Sequence, residues 1–180
     1  MPNQSPRTAR GLAMKLLCAL IAVAAIGVGL VWAGDWIYAK TVARRYQAWE
    51  RTVERGPDGV RVNCDAFWVG EGSTALLLIH RYGDSPALYG RMAPALAAQG
   101  YACRSMRLPG FGEPLEAYRA SDRHQWLDAI HSEVAILRES HDRVWLVGHS
   151  TGAALAIQES LATLDTVDGL ILLAPLLEVS

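Results

Sequence analysis

The stretch "VWLVGHSTGAALA", Val144 to Ala156, restricts the fold of this chain more than any other. Four apolar residues run into Gly148-His149-Ser150-Thr151-Gly152, and a small-residue helical stretch begins at once. A strand that turns within one residue into a helix needs glycines on both sides of the turn. Side chains there would strike the neighbouring strand and helix. The residue at the apex, Ser150, is thereby held at the mouth of a helix whose first N–H groups have no internal partner. The reading against this is an ordinary strand–helix turn capped by a serine.

The rest of the second half alternates in the same way. Ala75–Ile79 is a continuous aliphatic run, as in a strand covered on both faces. Ser85-Pro86 predicts a helix with Leu88, Met92 and Leu96 on its apolar side and Gly100 at its end. Tyr101–Leu108 reads as a strand that turns at "PGFG". Asp122 and Gln125 open a further helix with Trp126, Ile130, Val134 and Leu137 at helical spacing. Val144–Val147 is the strand before the turn, Thr151 to about Thr163 a helix, and Leu170–Ala174 a last strand. Val60–Val69 is expected to form a first strand. This alternation predicts an α/β fold with a mostly parallel sheet and helices on both faces.

The N-terminal third has a different character. Leu16 to Gly34 contains no charged residue, and about 20 such residues cross a bilayer. Trp32, Trp36 and Tyr38 lie where interfacial aromatics are expected. A cleaved secretory signal ending near Val31-Trp32-Ala33 is the other reading, but the apolar run exceeds the usual core of such signals. Residues 1–15 are then a basic tail, 16–34 a transmembrane anchor, 35–59 a juxtamembrane helix and linker stopped by "GPDG", and 60–180 the α/β part.

Arg7, Arg10 and Lys15 precede the span and Lys40, Arg44, Arg45 and Arg51 follow it. The positive-inside bias points to a cytoplasmic C-terminal part, whereas a charged start fits an N-in signal anchor. The second is preferred: a single-pass protein of a bacterial inner membrane with its α/β part in the periplasm.

Composition excludes some classes. Apolar residues make up 51% of the 180, so a core is affordable in material. A net charge of −1 gives no footprint for nucleic acid. Three cysteines suit neither a disulfide framework nor a zinc site, although Cys64 and Cys103 could bridge in an oxidising compartment. No metal and no organic cofactor is implied.

Two further stretches border a cleft. In "LLLIHRYGDSP" a strand ends at His80 and a tight loop with Gly83 follows. The backbone of that loop could donate to an oxyanion if its strand lies beside the Ser150 turn. The imidazole of His80 is expected to hold the loop rather than to move protons. In "RLPGFGEP" the carboxylate of Glu113 reads as a solvated loop group.

These motifs, in this order and spacing, resemble the α/β-hydrolase superfamily, and within it the branch of monoacylglycerol lipases, lysophospholipases and small carboxylesterases. The resemblance covers Val60 to Pro175 and leaves out the anchor. It implies that Ser150 is a catalytic nucleophile and that Thr151 and Tyr82 give the backbone N–H groups of an oxyanion hole. Gly83, Gly148 and Gly152 are the motif glycines. One position departs from the pattern, because Arg81 stands where the family has glycine after the histidine.

The resemblance also implies a triad ordered serine, acid, histidine. His80, His124, His131, His141 and His149 all precede Ser150, and Asp165 and Asp168 fall before the last strand, away from the cleft. The expectation is a C-terminally incomplete hydrolase sheet whose acid and histidine are absent from these residues. The activity expected is that of a membrane-anchored serine hydrolase of lipid or small acyl esters, or an acyltransferase using the same serine. The 180 residues alone are expected to be inactive. The alternative from another class is a non-catalytic membrane protein that pairs its open strand edge with a partner.

Overall fold

The computed structural model describes residues 6–163 and 165–175, which form two compact units, residues 1–53 and 54–180. The first contains one element, helix α1 (Pro6–Glu50), unbroken from the basic tail through the apolar run into the polar stretch beyond it. The expected division at residue 35 is therefore a change of surface without a break in backbone. Nothing between Leu16 and Glu50 is proline, and Gly27, Gly29 and Gly34 are tolerated inside a helix. Its most apolar part is long enough to cross a membrane and has no buried residue.

The helix ends at Glu50, before the "GPDG" expected to stop it. Gly56–Gly59 instead turns a small hairpin in which Arg55 bridges Arg61. The hairpin is fastened to the loop after the third strand: Arg61 N–H and Arg55 Nη1 both donate to the Gly112 carbonyl, at 2.8 and 2.9 Å. Val60 and Cys64 are buried by this contact. The strand expected over Val60–Val69 is thus reduced to β1 (Phe67–Val69), because Asn63 turns with φ +66° and the preceding backbone bonds elsewhere.

The second unit is a five-stranded sheet built from β1, β2 (Thr74–Ile79), β3 (Ala102–Met106), β4 (Arg143–His149) and β5 (Gly169–Leu173). Their order is β1-β3-β2-β4-β5, with only β1 antiparallel. Five of the six residues of β2 are buried, as a central parallel strand requires.

The helices lie on both faces. On one, α4 (Arg123–Ser140) and α5 (Thr151–Ala162), the latter through Leu155, cover Leu77, Ile79 and Leu146 in the larger core. On the other, a 3₁₀ turn (Pro86–Tyr89) and α2 (Met92–Ala97) cover Leu76, Leu78 and Val147. Each fully buried Leu or Val contributes roughly 1.5–3 kcal/mol. The single helix expected from Pro86 to Gly100 is broken because Pro94 cannot donate to the carbonyl four residues back, so α2 restarts at Met92 with Pro94 in its first turn.

A short helix not anticipated, α3 (Leu115–Ala120), follows Pro114, with Glu116 in its first turn and Arg119 in its last. The cap expected at Asp122 forms, its carboxylate accepting the Gln125 N–H at 3.0 Å. Cys64 and Cys103 are both buried and are not joined by a disulfide.

Candidate active site

The strand order fixes where a site can form. From β2 the chain crosses to β3 on one side, then returns past β2 to β4 on the other. The connections leaving β2 and β4 therefore depart to opposite faces, and a crevice opens between the C-terminal ends of these adjacent strands. Ile79 pairs with Gly148 at that edge, so the residues immediately after them, His80–Gly83 and His149–Thr151, flank the crevice together.

Ser150 adopts φ +53°, ψ −113°, a conformation that L residues avoid. It is held from three sides. Its N–H donates to the Leu173 carbonyl at 2.9 Å, tying β4 to β5. Its carbonyl accepts from Ala153 and Ala154 at 3.0 and 3.2 Å, starting α5. A Cβ on Gly148 would meet the Ala153 Cα at 2.4 Å, and one on Gly152 would meet the Ile79 carbonyl oxygen at 2.2 Å. Both glycines are thus required by close backbone approach. The Ser150 side chain makes no capping hydrogen bond to the helix, so its hydroxyl is not engaged as a cap would be.

Thr151 is the first residue of α5, and Tyr82 lies in the loop after β2. Neither backbone N–H has a hydrogen-bond partner among the described residues. Arg81–Asp84 forms a β-turn closed by Asp84 N–H to the Arg81 carbonyl at 3.3 Å, with Gly83 at φ +72° in its third position. That is the pattern of a type II turn, and it leaves the Tyr82 N–H outside the turn bond.

His80 is fully buried. The Leu108 N–H donates to its Nε2 at 3.2 Å, which puts the ring proton on Nδ1, donated to the Arg81 carbonyl at 2.9 Å. Burial holds its pKa below the ordinary value of 6.5, against the Arg81 carbonyl and the Asp84 charge that favour the imidazolium. Both ring nitrogens are occupied in joining the ends of β2 and β3.

The other histidines lie elsewhere. His124 is exposed at the start of α4, and His141 ends that helix beside Trp68. His131 bonds Glu159 at 3.0 Å, two turns along α5 from Ser150. His149 turns its ring toward a cavity of 170 Å³ lined by Leu88, Tyr89, Met92 and Leu173. Asp168 binds Arg138 and the Val144 N–H, each at 2.7 Å, at the opposite end of β4. Glu113 pairs with Arg107.

Periodicity could not show the aromatic wall beside the crevice. Phe111 is buried at its centre, edge-on to His80, Tyr82 and Tyr118 with ring centroids 4.9, 5.9 and 5.2 Å away. Trp126 stands 5.5 Å from it, its indole N–H donating to the Pro109 carbonyl at 3.1 Å. Burial and a hydrogen bond with Tyr82 push the Tyr118 phenol up to about 12. Beneath the crevice, the buried Tyr89 hydroxyl donates to the Ile79 carbonyl at 2.8 Å. Both features depend on residues far apart in sequence. The only local signal was the density of aromatics around the "PGFG" turn.

Ser150 is thus a strained serine between two sterically required glycines, at the switch point of the sheet. The profile of the family "Serine aminopeptidase, S33" matches residues 70–180. The chain belongs to this family of α/β-hydrolases.

Within it, the chain is 25% identical over 93 residues to a thermostable monoacylglycerol lipase of Bacillus sp. (strain H-257), covering 52% of this chain and 37% of that one. Among solved structures it resembles one described under the two metagenome-derived lipolytic enzymes LipS and LipT, with TM-score 0.61, 22% identity and coverage of 64% and 47%. It also resembles the monoacylglycerol lipase of Paleococcus ferrophilus, with TM-score 0.54, 20% identity and coverage of 64% and 44%. The chain spans less than half the length of each. The fold these structures share with the chain is that of the α/β-hydrolases, with five strands described.

Proposed function

We propose that this hydrolase is a membrane-anchored serine ester hydrolase in which Ser150 carries the acyl group. The observation that carries the reading is the Ser150 backbone at φ +53° between Gly148 and Gly152, with the side chain not capping its helix. Such an elbow holds the hydroxyl over the crevice at the cost of local strain.

In the reaction the Ser150 oxygen bonds to the acyl carbon while its proton passes to a base. The carbonyl oxygen becomes an oxyanion received by the Thr151 and Tyr82 N–H groups, the first reinforced by the α5 N-terminus. Collapse releases the alcohol, which takes the proton, and water then frees the acid by the same route. Both ring nitrogens of His80 are engaged and His149 lines the cavity beside the crevice, so neither is assigned as the base.

Lipid-derived esters suit the site: α1 would keep the unit at a bilayer, on the periplasmic face of a bacterial inner membrane, and Tyr82, Phe111, Tyr118 and Trp126 offer an apolar wall beside the crevice. The test is labelling of the full chain by an alkyl fluorophosphonate, with turnover of a medium-chain nitrophenyl ester. Ser150→Ala is expected to abolish labelling and to lower turnover at least about 10³-fold. A full chain that neither labels nor hydrolyses would sink the reading in favour of a non-catalytic, partner-binding role.

A further inference from the structure

We infer that Arg81 and Asp84 are a positioning pair that fixes the oxyanion turn from outside. The inference rests on the reading of Tyr82 N–H as an oxyanion donor. The turn Arg81–Asp84 carries that N–H between its two ends, and its own backbone bond is weak: 3.3 Å, at the long limit for an N–H to a carbonyl oxygen. Gly83 adds freedom, since a glycine at φ +72° with open space around it can leave that conformation easily. A turn built this way would let Tyr82 wander.

The side chains at its two ends close it a second time. Arg81 Nε donates to Asp84 Oδ2 at 2.9 Å, spanning Tyr82 and Gly83. Asp84 Oδ1 accepts the Ser85 N–H at 2.9 Å, so the carboxylate is itself fixed to the start of the next element. The Arg81 carbonyl receives the proton of His80 Nδ1 at 2.9 Å, which anchors the near end of the turn to the buried end of β2. The two ends of the turn are tied in this way, while the Tyr82 N–H makes no hydrogen bond among the described residues.

Arg81 occupies the position where the resembling family has glycine, and it does so without strain, since its φ is not positive. The arginine is therefore an added tie. Its side chain is 52% exposed and that of Asp84 25% exposed. An ion pair so exposed adds little to global stability. Its effect belongs to geometry, because a donor displaced by about 1 Å from a developing oxyanion loses much of its value.

The experiment uses the full chain, with Ser150 labelling by fluorophosphonate as the control for the parent reading. Arg81→Ala and Asp84→Ala are each expected to lower kcat roughly tenfold with KM changed less than about twofold. Melting temperature should stay within about 2 °C, as for an exposed pair. Arg81→Lys should keep most of kcat, because it retains an opposite charge at that end of the turn and leaves the Asp84 carboxylate on the Ser85 N–H. Unchanged kcat in both alanine variants of a protein that labels at Ser150 would overturn the proposal. So would a loss confined to KM, which would make Arg81 a substrate contact. A protein that fails to label fails the parent reading instead.

Discussion

The Leu108 N–H donates to His80 Nε2 across 3.2 Å, and this one bond fixes the charge state of a fully buried imidazole. A protonated ring would carry a hydrogen on Nε2 facing another hydrogen. Burial, the largest influence on this ring, also disfavours the charged form, and the Arg107 charge acts in the same direction. The folded pKa therefore lies below the 6.5 of the free side chain. Between those two values the unfolded chain takes up a proton that the folded chain refuses. Stability from His80 is complete above pH 6.5 and is lost as pH falls toward the folded pKa. Unfolding midpoints in urea from pH 8 to 5 should show this fall. A His80→Gln variant, less stable at pH 8, should show a smaller one; equal slopes would refute the assignment.

Ser150 stores strain that a glycine would not. At φ +53°, ψ −113° it occupies the mirror image of an ordinary extended conformation, which glycine adopts freely. Ser150→Gly should stabilise the second unit by about 1–3 kcal/mol, offset in part by the greater freedom of unfolded glycine. Ser150→Ala keeps a Cβ and so keeps the strain. The difference between the two variants in thermal or urea unfolding isolates the elbow, and a glycine variant no more stable than the alanine one would argue against strain.

Two glycines of this region, Gly152 in α5 and Gly83 in the turn after β2, should respond differently to a methyl group. At Gly152 the new carbon would lie 2.2 Å from the Ile79 carbonyl oxygen, which cannot move without disturbing the centre of the sheet. At Gly83 nothing lies within 4 Å, and the only cost is φ +72°. Gly152→Ala is expected to cost about 3 kcal/mol or more, or to prevent folding, whereas Gly83→Ala should cost about 1–2 kcal/mol. Urea titration of both variants ranks them.

What the sequence disclosed and what it concealed follow the range of the interactions involved. β2 and β4 were legible because each is a mostly apolar run buried in the middle of the sheet. The strained turn at Ser150 was legible because its steric demand falls on two positions, Gly148 and Gly152, two residues to either side of Ser150. The Asp122 cap was legible for the same local reason. By contrast, Val60–Asp65 looked like a strand from its valines, but its partner is the Gly112 carbonyl, 52 residues from Val60, and no local pattern shows that. The Phe111 cluster joins three separate loops and helices. Arg81 was visible as a departure from the family pattern, yet its tie to Asp84 emerged only with the turn that brings them within 2.9 Å.

The first unit makes the last prediction. Helix α1 is a single element whose most apolar stretch has no buried residue, so in water that surface would have nothing to cover it. A bilayer of about 30 Å hydrocarbon would cover some 20 residues of it, leaving the stretch beyond Trp36 as a polar stalk. If the span is an uncleaved anchor, the mature protein retains its N-terminus and resists extraction by alkaline carbonate. Replacing Ala24 and Ala25, at the centre of the uncharged run, by arginine should reverse this. Each charge there costs about 2.5–3.5 kcal/mol on insertion scales, and together they exceed what the remaining aliphatic residues offset. The double variant should therefore appear in the carbonate-soluble fraction or be degraded. A wild-type protein that begins after Ala33 and is fully carbonate-soluble would mean that the same apolar run acts as a cleaved signal, and the second unit would then work free of the membrane.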